Sequence, residues 1–135
     1  RTCLGTGVGE RVQAAPELRL TGTPVLLVNP RAPVATGPVF AAWDGFDRGP
    51  LLVGAEVRAQ LFAARNDLQR AAVAQCPAVV DILTELGALK PWLARVLGSG
   101  ATSFGLVDAA AERDAAAATL AASHPHWWQM TGALR

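Results

Sequence analysis

The sequence predicts an α+β fold, a split β-α-β sandwich with inserted helices. Three observations indicate it. Val25–Val28 is a short, continuous apolar run, a Gly-Ser-Gly turn separates two further apolar runs, and an alanine-rich stretch precedes a final aromatic run. In chain order these give strand, helices, strand, strand, helix and strand, which is the order of the ferredoxin-like class.

The first strand and the helix after it are set by the chain around Asn29-Pro30. Val25–Val28 has two β-branched residues and suits a strand buried on both faces, and Pro30 ends it. A helix is predicted from Val34 or Pro38 to Asp44. From Asp44 to Pro50, closely spaced Gly and Asp residues predict a loop, after which helical spacing resumes.

The best-defined helix begins at Cys76-Pro77, because proline is favoured in a helix's first turn. Apolar side chains then recur on one face, and Gly87 is expected to end the helix. The residues of that face are Val79, Ile82, Leu83 and Leu86.

The remaining elements follow from turn and cap chemistry. Trp92–Leu97 and Ser103–Val107 are predicted as hairpin strands, and Asp108 as the N-cap of a helix from Ala109 to Ala122. His124-Pro125 closes that helix, and the final strand is Trp127–Thr131. The two adjacent tryptophans of that stretch should point to opposite faces, one into the core.

Composition narrows the class of protein. The 135 residues suffice for one domain, and 51% of them are hydrophobic. Twelve basic and eleven acidic residues give a net charge of +1, so neither nucleic acid nor an anionic membrane is an expected partner. The sequence has no apolar stretch of the roughly 20 residues that cross a bilayer.

Cysteine and histidine give no sign of a metal site. Cys3 and Cys76 lie far apart and form no C-x-x-C motif, which favours reduced thiols in a cytoplasmic protein. His124 and His126 have no carboxylate or thiolate near them in sequence, so we expect solvated turn residues. No residue is predicted to bind a metal.

The glycine-rich turn Gly98-Ser99-Gly100-Ala101-Thr102 is the main candidate site. Glycine accepts positive φ and lets a ligand approach backbone N–H groups, as in a nest that holds an anion. An apolar strand rather than a helix follows, and no lysine is present, so the turn is neither a dinucleotide fingerprint nor a Walker A loop. On local spacing alone, a plain hairpin turn explains it equally well.

Three blocks in matching order resemble the GHMP small-molecule kinases. They are Val25–Pro30 with Pro33–Thr36 and Val39-Phe40, then Arg65–Gln69 with Cys76-Pro77, and finally Gly98–Leu106. The order is most similar to the branch that phosphorylates a cytidyl-diphosphate substrate in isoprenoid synthesis. The resemblance independently implies the ferredoxin-like fold. It also implies ATP and Mg²⁺ as cofactors of the intact enzyme and a small-molecule substrate.

The resemblance covers only the second half of such kinases. It implies that the ATP-binding Gly-Ser-Ser-rich loop and the catalytic Lys and Asp lie upstream of Arg1. We therefore interpret residues 1–24 as the trailing edge of an N-terminal ATP-binding domain and residues 25–135 as the C-terminal domain. By itself this chain should lack catalytic residues, kinase activity and a tightly bound cofactor, and it is expected to pair with the N-terminal domain or with a second copy.

Two departures from the family pattern stand near the motifs. Leu97 occupies a position where the family usually has Ser, which removes a hydroxyl donor. Arg31 occupies a position where Gly commonly follows the Asn-Pro pair, which adds a cation beside a turn that the resemblance places near the substrate.

The resemblance assigns phosphate contacts to Gly98, Ser99, Gly100, Ala101 and Thr102, with Ser99 or Thr102 adding a hydroxyl. It makes Asn29, Pro30 and Thr36 plausible substrate contacts, although turn chemistry alone explains Asn29-Pro30. Asn66 and Asp67 either orient substrate or bond the backbone of a neighbouring loop. Two functions stay open besides the main one: the same half of another GHMP kinase, and a stand-alone ferredoxin-like binding module.

Overall fold

The computed structural model describes residues 2–7, 10–52, 54 and 56–135. Its strands are β1 (Cys3–Thr6), β2 (Arg11–Ala14), β3 (Pro24–Asn29), β4 (Leu93–Val96), β5 (Ser103–Leu106) and β6 (Trp128–Ala133). Its helices are α1 (Thr36–Ala41), α2 (Val57–Ala63), α3 (Gln69–Gln75), α4 (Ala78–Ala88) and α5 (Ala110–Ser123), with a short 3₁₀ turn at Pro16–Leu18.

The main sheet has four antiparallel strands in the order β4-β5-β3-β6. The first strand of the unit, β3, is therefore central, and the two hairpin strands and the last strand flank it. This order confirms the predicted ferredoxin-like split β-α-β arrangement. β1 and β2 form a separate two-stranded sheet that the sequence did not predict.

One face of the sheet carries the principal core. Leu26 and Val28 alternate along β3, so both point to the face that α4 and α5 cover. There they pack against Ile82 and Leu86 of α4. Gly105, beside Leu26 in the sheet, lets α4 approach closely, since a Cβ there would lie 3.4 Å from Cδ2 of Leu86. The other members of this core are Ala116, Leu120 and Trp127.

A second buried cluster lies at the end of the β4–β5 hairpin. It joins α1, α3 and the start of α4 to Val96 and Ala101, which flank the glycine-rich turn. Ala101 is buried although it lies in a loop. Packing of Val96 and Ala101 therefore holds the turn against this cluster, and the polar atoms of the turn face away from it. The remaining members are Val39, Ala71, Ala72, Cys76 and Val79.

Two predicted boundaries are wrong. Asp108 is not the N-cap of α5, because Ala109 occupies that position and the Glu112 carboxylate accepts hydrogen bonds from the N–H groups of Asp108 and Ala109. The Asp108 carboxylate instead pairs with Arg58. α1 ends at Ala41 rather than at Asp44.

The aromatic end of the chain combines one confirmed and one wrong prediction. Trp127 is buried and Trp128 is 38% exposed, as expected for neighbours on opposite faces. His124 is not simply solvated, because its ring stacks on Trp127 with centroids 3.8 Å apart. Its Nε2 atom lies 3.7 Å from Oε1 of Glu85. Within the described ranges, no helix has the length and apolar character that crossing a membrane requires.

Candidate functional site

The predicted glycine turn is the connection between β4 and β5. It is closed by a hydrogen bond of 2.8 Å from the Leu97 N–H to the Thr102 carbonyl, and by one of 3.0 Å from the Gly100 N–H to the Leu97 carbonyl. Gly98 and Gly100 have φ values of +57° and +84°, which glycine adopts without a Cβ penalty. The glycines are thus required by the turn geometry, as the sequence predicted.

Polar side chains from outside the hairpin hold this loop. Asn29, at the end of β3, donates from Nδ2 to Oγ1 of Thr102 over 2.9 Å. Thr36, at the start of α1, lies with its hydroxyl 3.1 Å from that of Ser99. The candidate residues of the first and third sequence blocks are therefore brought together in space.

Asn66 bridges both sides of the same loop. Its Nδ2 donates to the Val96 carbonyl over 2.9 Å and to the Gly98 carbonyl over 2.7 Å. Its Oδ1 accepts from the Leu68 N–H just before α3, which fixes the orientation of the amide. Of the two roles that the sequence left open for Asn66, the structure shows bonding to the backbone of a neighbouring loop.

The other two substrate-side candidates do not touch the loop through a hydrogen bond. Pro30 is buried directly after Asn29. Asp67 accepts from Nε of Arg65 over 2.8 Å and lies 3.9 Å from Nη1 of Arg48. Asp67 therefore belongs to a neighbouring group of charges.

The loop keeps several backbone donors available. Within the described part of the chain, the N–H groups of Gly98, Ser99, Ala101 and Thr102 make no hydrogen bond. Unpaired N–H groups in a turn containing glycines at positive φ can hold an anion. No cluster of three or more His, Cys, Asp or Glu side chains suited to a metal occurs among those same residues.

A network of charges lies on the other side of Asn66. Arg48 hydrogen-bonds both carboxylate oxygens of Asp44. With a further bond from the Phe46 N–H, this lowers the pKa of Asp44 from its ordinary 3.8 to about 2. Beside this network opens a cavity of about 410 Å³, whose walls include Leu51, Leu52, Arg65 and Asp67.

α2 is tied to the sheet by two arginines. The half-buried Arg95 of β4 donates to the carbonyls of Leu61 and Phe62 near the end of α2, and burial lowers the pKa of its guanidinium. Arg58 lies with its guanidinium carbon 4.5 Å from the centre of the Trp92 ring. The segment that lines the cavity is therefore fixed to the hairpin that carries the glycine loop.

The protein-family model described as "GHMP kinases C terminal" matches residues 54–126 of this chain. This match includes the glycine loop and the Asn66 bridge, and it covers more than half of the sequence. The chain belongs to this family. It is therefore a GHMP kinase C-terminal domain, and the family resemblance and fold inferred from the sequence are confirmed.

Two individual relatives of this GHMP domain carry the same enzyme name. The chain is 70% identical to the 4-diphosphocytidyl-2-C-methyl-D-erythritol kinase of Sphingopyxis alaskensis, over 99% of its own length and 47% of the relative's. It is 50% identical to the enzyme of the same name from Novosphingobium aromaticivorans, over 98% and 45% of the two lengths. The chain thus spans about half the length of these relatives.

A solved structure extends the comparison to three dimensions. The GHMP domain superimposes on a crystal structure of 4-(cytidine 5'-diphospho)-2C-methyl-D-erythritol kinase with a TM-score of 0.76 and 27% sequence identity. The match covers 98% of this chain and 50% of that one.

Sequence reasoning missed one residue that supports the loop of this GHMP domain. Gln69, the first residue of α3, accepts at Oε1 from the Val96 N–H over 3.1 Å. Its only sequence signal was its place in the Arg65–Gln69 block, three residues after Asn66, which puts both side chains near one end of α3.

Proposed function

We propose that this chain is the substrate- and phosphate-side domain of an ATP-dependent kinase that phosphorylates 4-diphosphocytidyl-2-C-methyl-D-erythritol. The observation that carries the proposal is the glycine loop, fixed by Asn29, Thr36 and Asn66 while its N–H groups stay available. The names of the relatives support the choice of substrate. Mevalonate-type or homoserine kinases of the same family are the second candidate.

The loop suits the chemistry of phosphoryl transfer. Such reactions depend on aligned reactants and on dipoles directed at the charge of the transferred group. We assign this part to the loop N–H groups and to the hydroxyls of Ser99 and Thr102. ATP and Mg²⁺ are assigned to the complete enzyme, with the nucleophile activated by residues outside this chain.

Phe40 offers a surface for the base of the substrate. It lies one helical turn after Thr36 on α1, and 55% of its side chain is exposed. An aromatic ring exposed beside a phosphate-binding loop can stack on a nucleobase. We therefore infer that Phe40 contacts the cytosine, whereas Thr36 holds the loop.

Exposed apolar side chains are evidence that a second domain covers part of this chain in the complete enzyme. A monomer seldom exposes so many large apolar groups within one segment. We propose that the other half of the kinase covers this segment in a cytoplasmic enzyme, and that the isolated chain self-associates when it is uncovered. The residues are Trp43, Phe46, Leu51, Leu52 and Phe62.

The proposal is tested with the full-length protein that carries this chain. ADP release is measured with 4-diphosphocytidyl-2-C-methyl-D-erythritol, mevalonate and homoserine as alternative substrates. Turnover with the first alone supports the proposal, and preference for either of the others reassigns the chain within the family. The isolated chain should release no ADP, and a protein inactive with all three would favour the binding-module alternative.

A further inference from the structure

The glycine loop supplies dipoles but no charge. Residues 96–107 contain no charged side chain, and residues 24–40, which supply Asn29 and Thr36, contain only Arg31. Phosphate oxygens carry negative charge, and a site that holds them usually includes an arginine or lysine. Arg31 is therefore the cation that these two segments can offer.

The backbone of Arg31 is fixed beside the loop. Its N–H donates to Oδ1 of Asn29 over 2.7 Å, while Nδ2 of the same asparagine donates to Thr102. One amide therefore connects Arg31 to the loop. Arg31 also has a φ of +58°, a conformation that costs a side chain with a Cβ but not glycine.

The guanidinium of Arg31 is exposed and, within the described part of the chain, makes no hydrogen bond or ion pair. Three other arginines close to the site are already engaged. Arg48 pairs with Asp44, Arg65 with Asp67, and Arg95 with carbonyls of α2. Arg31 thus keeps its charge available to a ligand.

We propose that Arg31 provides the positive charge that binds the phosphate groups held by the glycine loop. The inference rests on the proposed function and adds a specificity residue to it. The ligand chemistry is that of a di- or triphosphate, whose source is either the cytidyl-diphosphate substrate or ATP. The KM for the cytidyl-diphosphate substrate and the KM for ATP distinguish these two sources.

The experiment compares three variants of the full-length protein. Arg31→Gly removes the charge and Arg31→Lys retains it. Arg19→Gly is the matched control, because Arg19 is also exposed, has a φ of +48° and lies away from the loop, after the 3₁₀ turn. Glycine accommodates both backbones, so neither substitution is expected to unfold the protein.

For Arg31→Gly we expect the KM of one phosphate-bearing reactant to rise about tenfold, the size of one charge-assisted hydrogen bond, with kcat nearly unchanged. Arg31→Lys should recover part of the loss, and the difference from the original protein should shrink at high salt. Arg19→Gly should match the original protein. Unchanged KM values for both reactants, or an equal effect of Arg19→Gly, would overturn the inference.

A binding measurement keeps the inference testable apart from the reaction. Calorimetric titration with CDP and with ATP reports diphosphate and triphosphate binding whether or not the protein is a kinase. Weaker binding of either by Arg31→Gly, but not by Arg19→Gly, supports the role of Arg31. Equal binding by all variants excludes it, and absence of kinase activity in the original protein counts against the proposed function alone.

Discussion

At the scale of single residues, the two glycines of the loop are not equivalent. A Cβ at Gly100 would lie 3.3 Å from Cβ of Ala72 and 3.4 Å from Cγ1 of Val96, inside the second buried cluster. A Cβ at Gly98 would meet nothing within 4 Å. Both have positive φ, so backbone strain is common to both and crowding is particular to Gly100.

This difference predicts a graded pair of variants. Gly98→Ala should cost about 1–2 kcal/mol of unfolding free energy, the usual penalty for a side chain in the left-handed region. Gly100→Ala should cost more, since Ala72 must also move by a few tenths of an ångström. Chemical denaturation of both variants measures the order, and equal losses would show that crowding plays no part.

Asp44 predicts a response to pH. Its pKa is lowered from 3.8 to about 2. The pairing with Arg48 therefore stabilises the segment that follows α1 fully at pH values above 3.8, and this stabilisation is lost as the pH falls from about 4 towards 2. NMR titration of the carboxyl group should give a midpoint near 2, and Arg48→Gln should return it towards 3.8. Arg65→Gln, which removes the partner of Asp67, should leave the Asp44 midpoint in place.

At the scale of elements, apolar periodicity predicted most of the fold. Val25–Val28 and the face of α4 follow simple repeats, and the structure places them within a residue or two. Competition among polar groups could not be predicted in this way. Asp108 is a good N-cap residue, but its carboxylate binds Arg58, which lies 50 residues earlier, and Glu112 bonds the free N–H groups instead.

The same limit applies to the candidate site. The sequence blocks identified the glycine loop, Asn29, Thr36 and Asn66 because their order resembles the motifs of GHMP kinases. The glycine loop and Asn29 carry a local signal of turn chemistry as well. What Asn66 bonds depends on Val96 and Gly98, which are 30 and 32 residues away. Such contacts form through the fold, and local patterns do not contain them.

The Asn66 bridge gives a prediction for this connection between α3 and the hairpin. Asn66→Asp replaces a donor to two carbonyls with a carboxylate that repels them, and should cost about 1–3 kcal/mol. Hydrogen exchange at Leu97 and Gly100, whose N–H groups make the hydrogen bonds that close the turn, should accelerate. Asp67→Asn is the control, since its partly exposed pair with Arg65 contributes about 1 kcal/mol or less. A loop that exchanges equally in both variants would contradict the role of Asn66.

At the scale of the whole molecule, one buried face joins the sheet to both long helices. Ile82 of α4 is fully buried within this core, whereas Val80, two residues earlier, is 44% exposed. This layer between the sheet and the two helices is the principal core of the domain. The opposite face of β6 leaves Trp128 and Met130 exposed.

Truncating this layer should destabilise the entire domain. Ile82→Ala is expected to cost about 2–5 kcal/mol, the range for removing a buried aliphatic side chain. Val80→Ala on the same helix should change stability by less than about 1 kcal/mol. Thermal unfolding followed by circular dichroism compares the two, and similar melting temperatures would show that α4 contributes little to the core.

The central position of β3 has a consequence for how the protein is made. Its two neighbours in the sheet are β5 and β6, and Asn29 at its end binds Thr102 across 73 residues of chain. During synthesis on the ribosome, this apolar strand therefore emerges long before either neighbour exists. Until β5 is released, β3 has no pairing partner from the main sheet, and its other edge stays open until β6 follows. The nascent chain therefore depends on fast late folding or on chaperones to avoid aggregation.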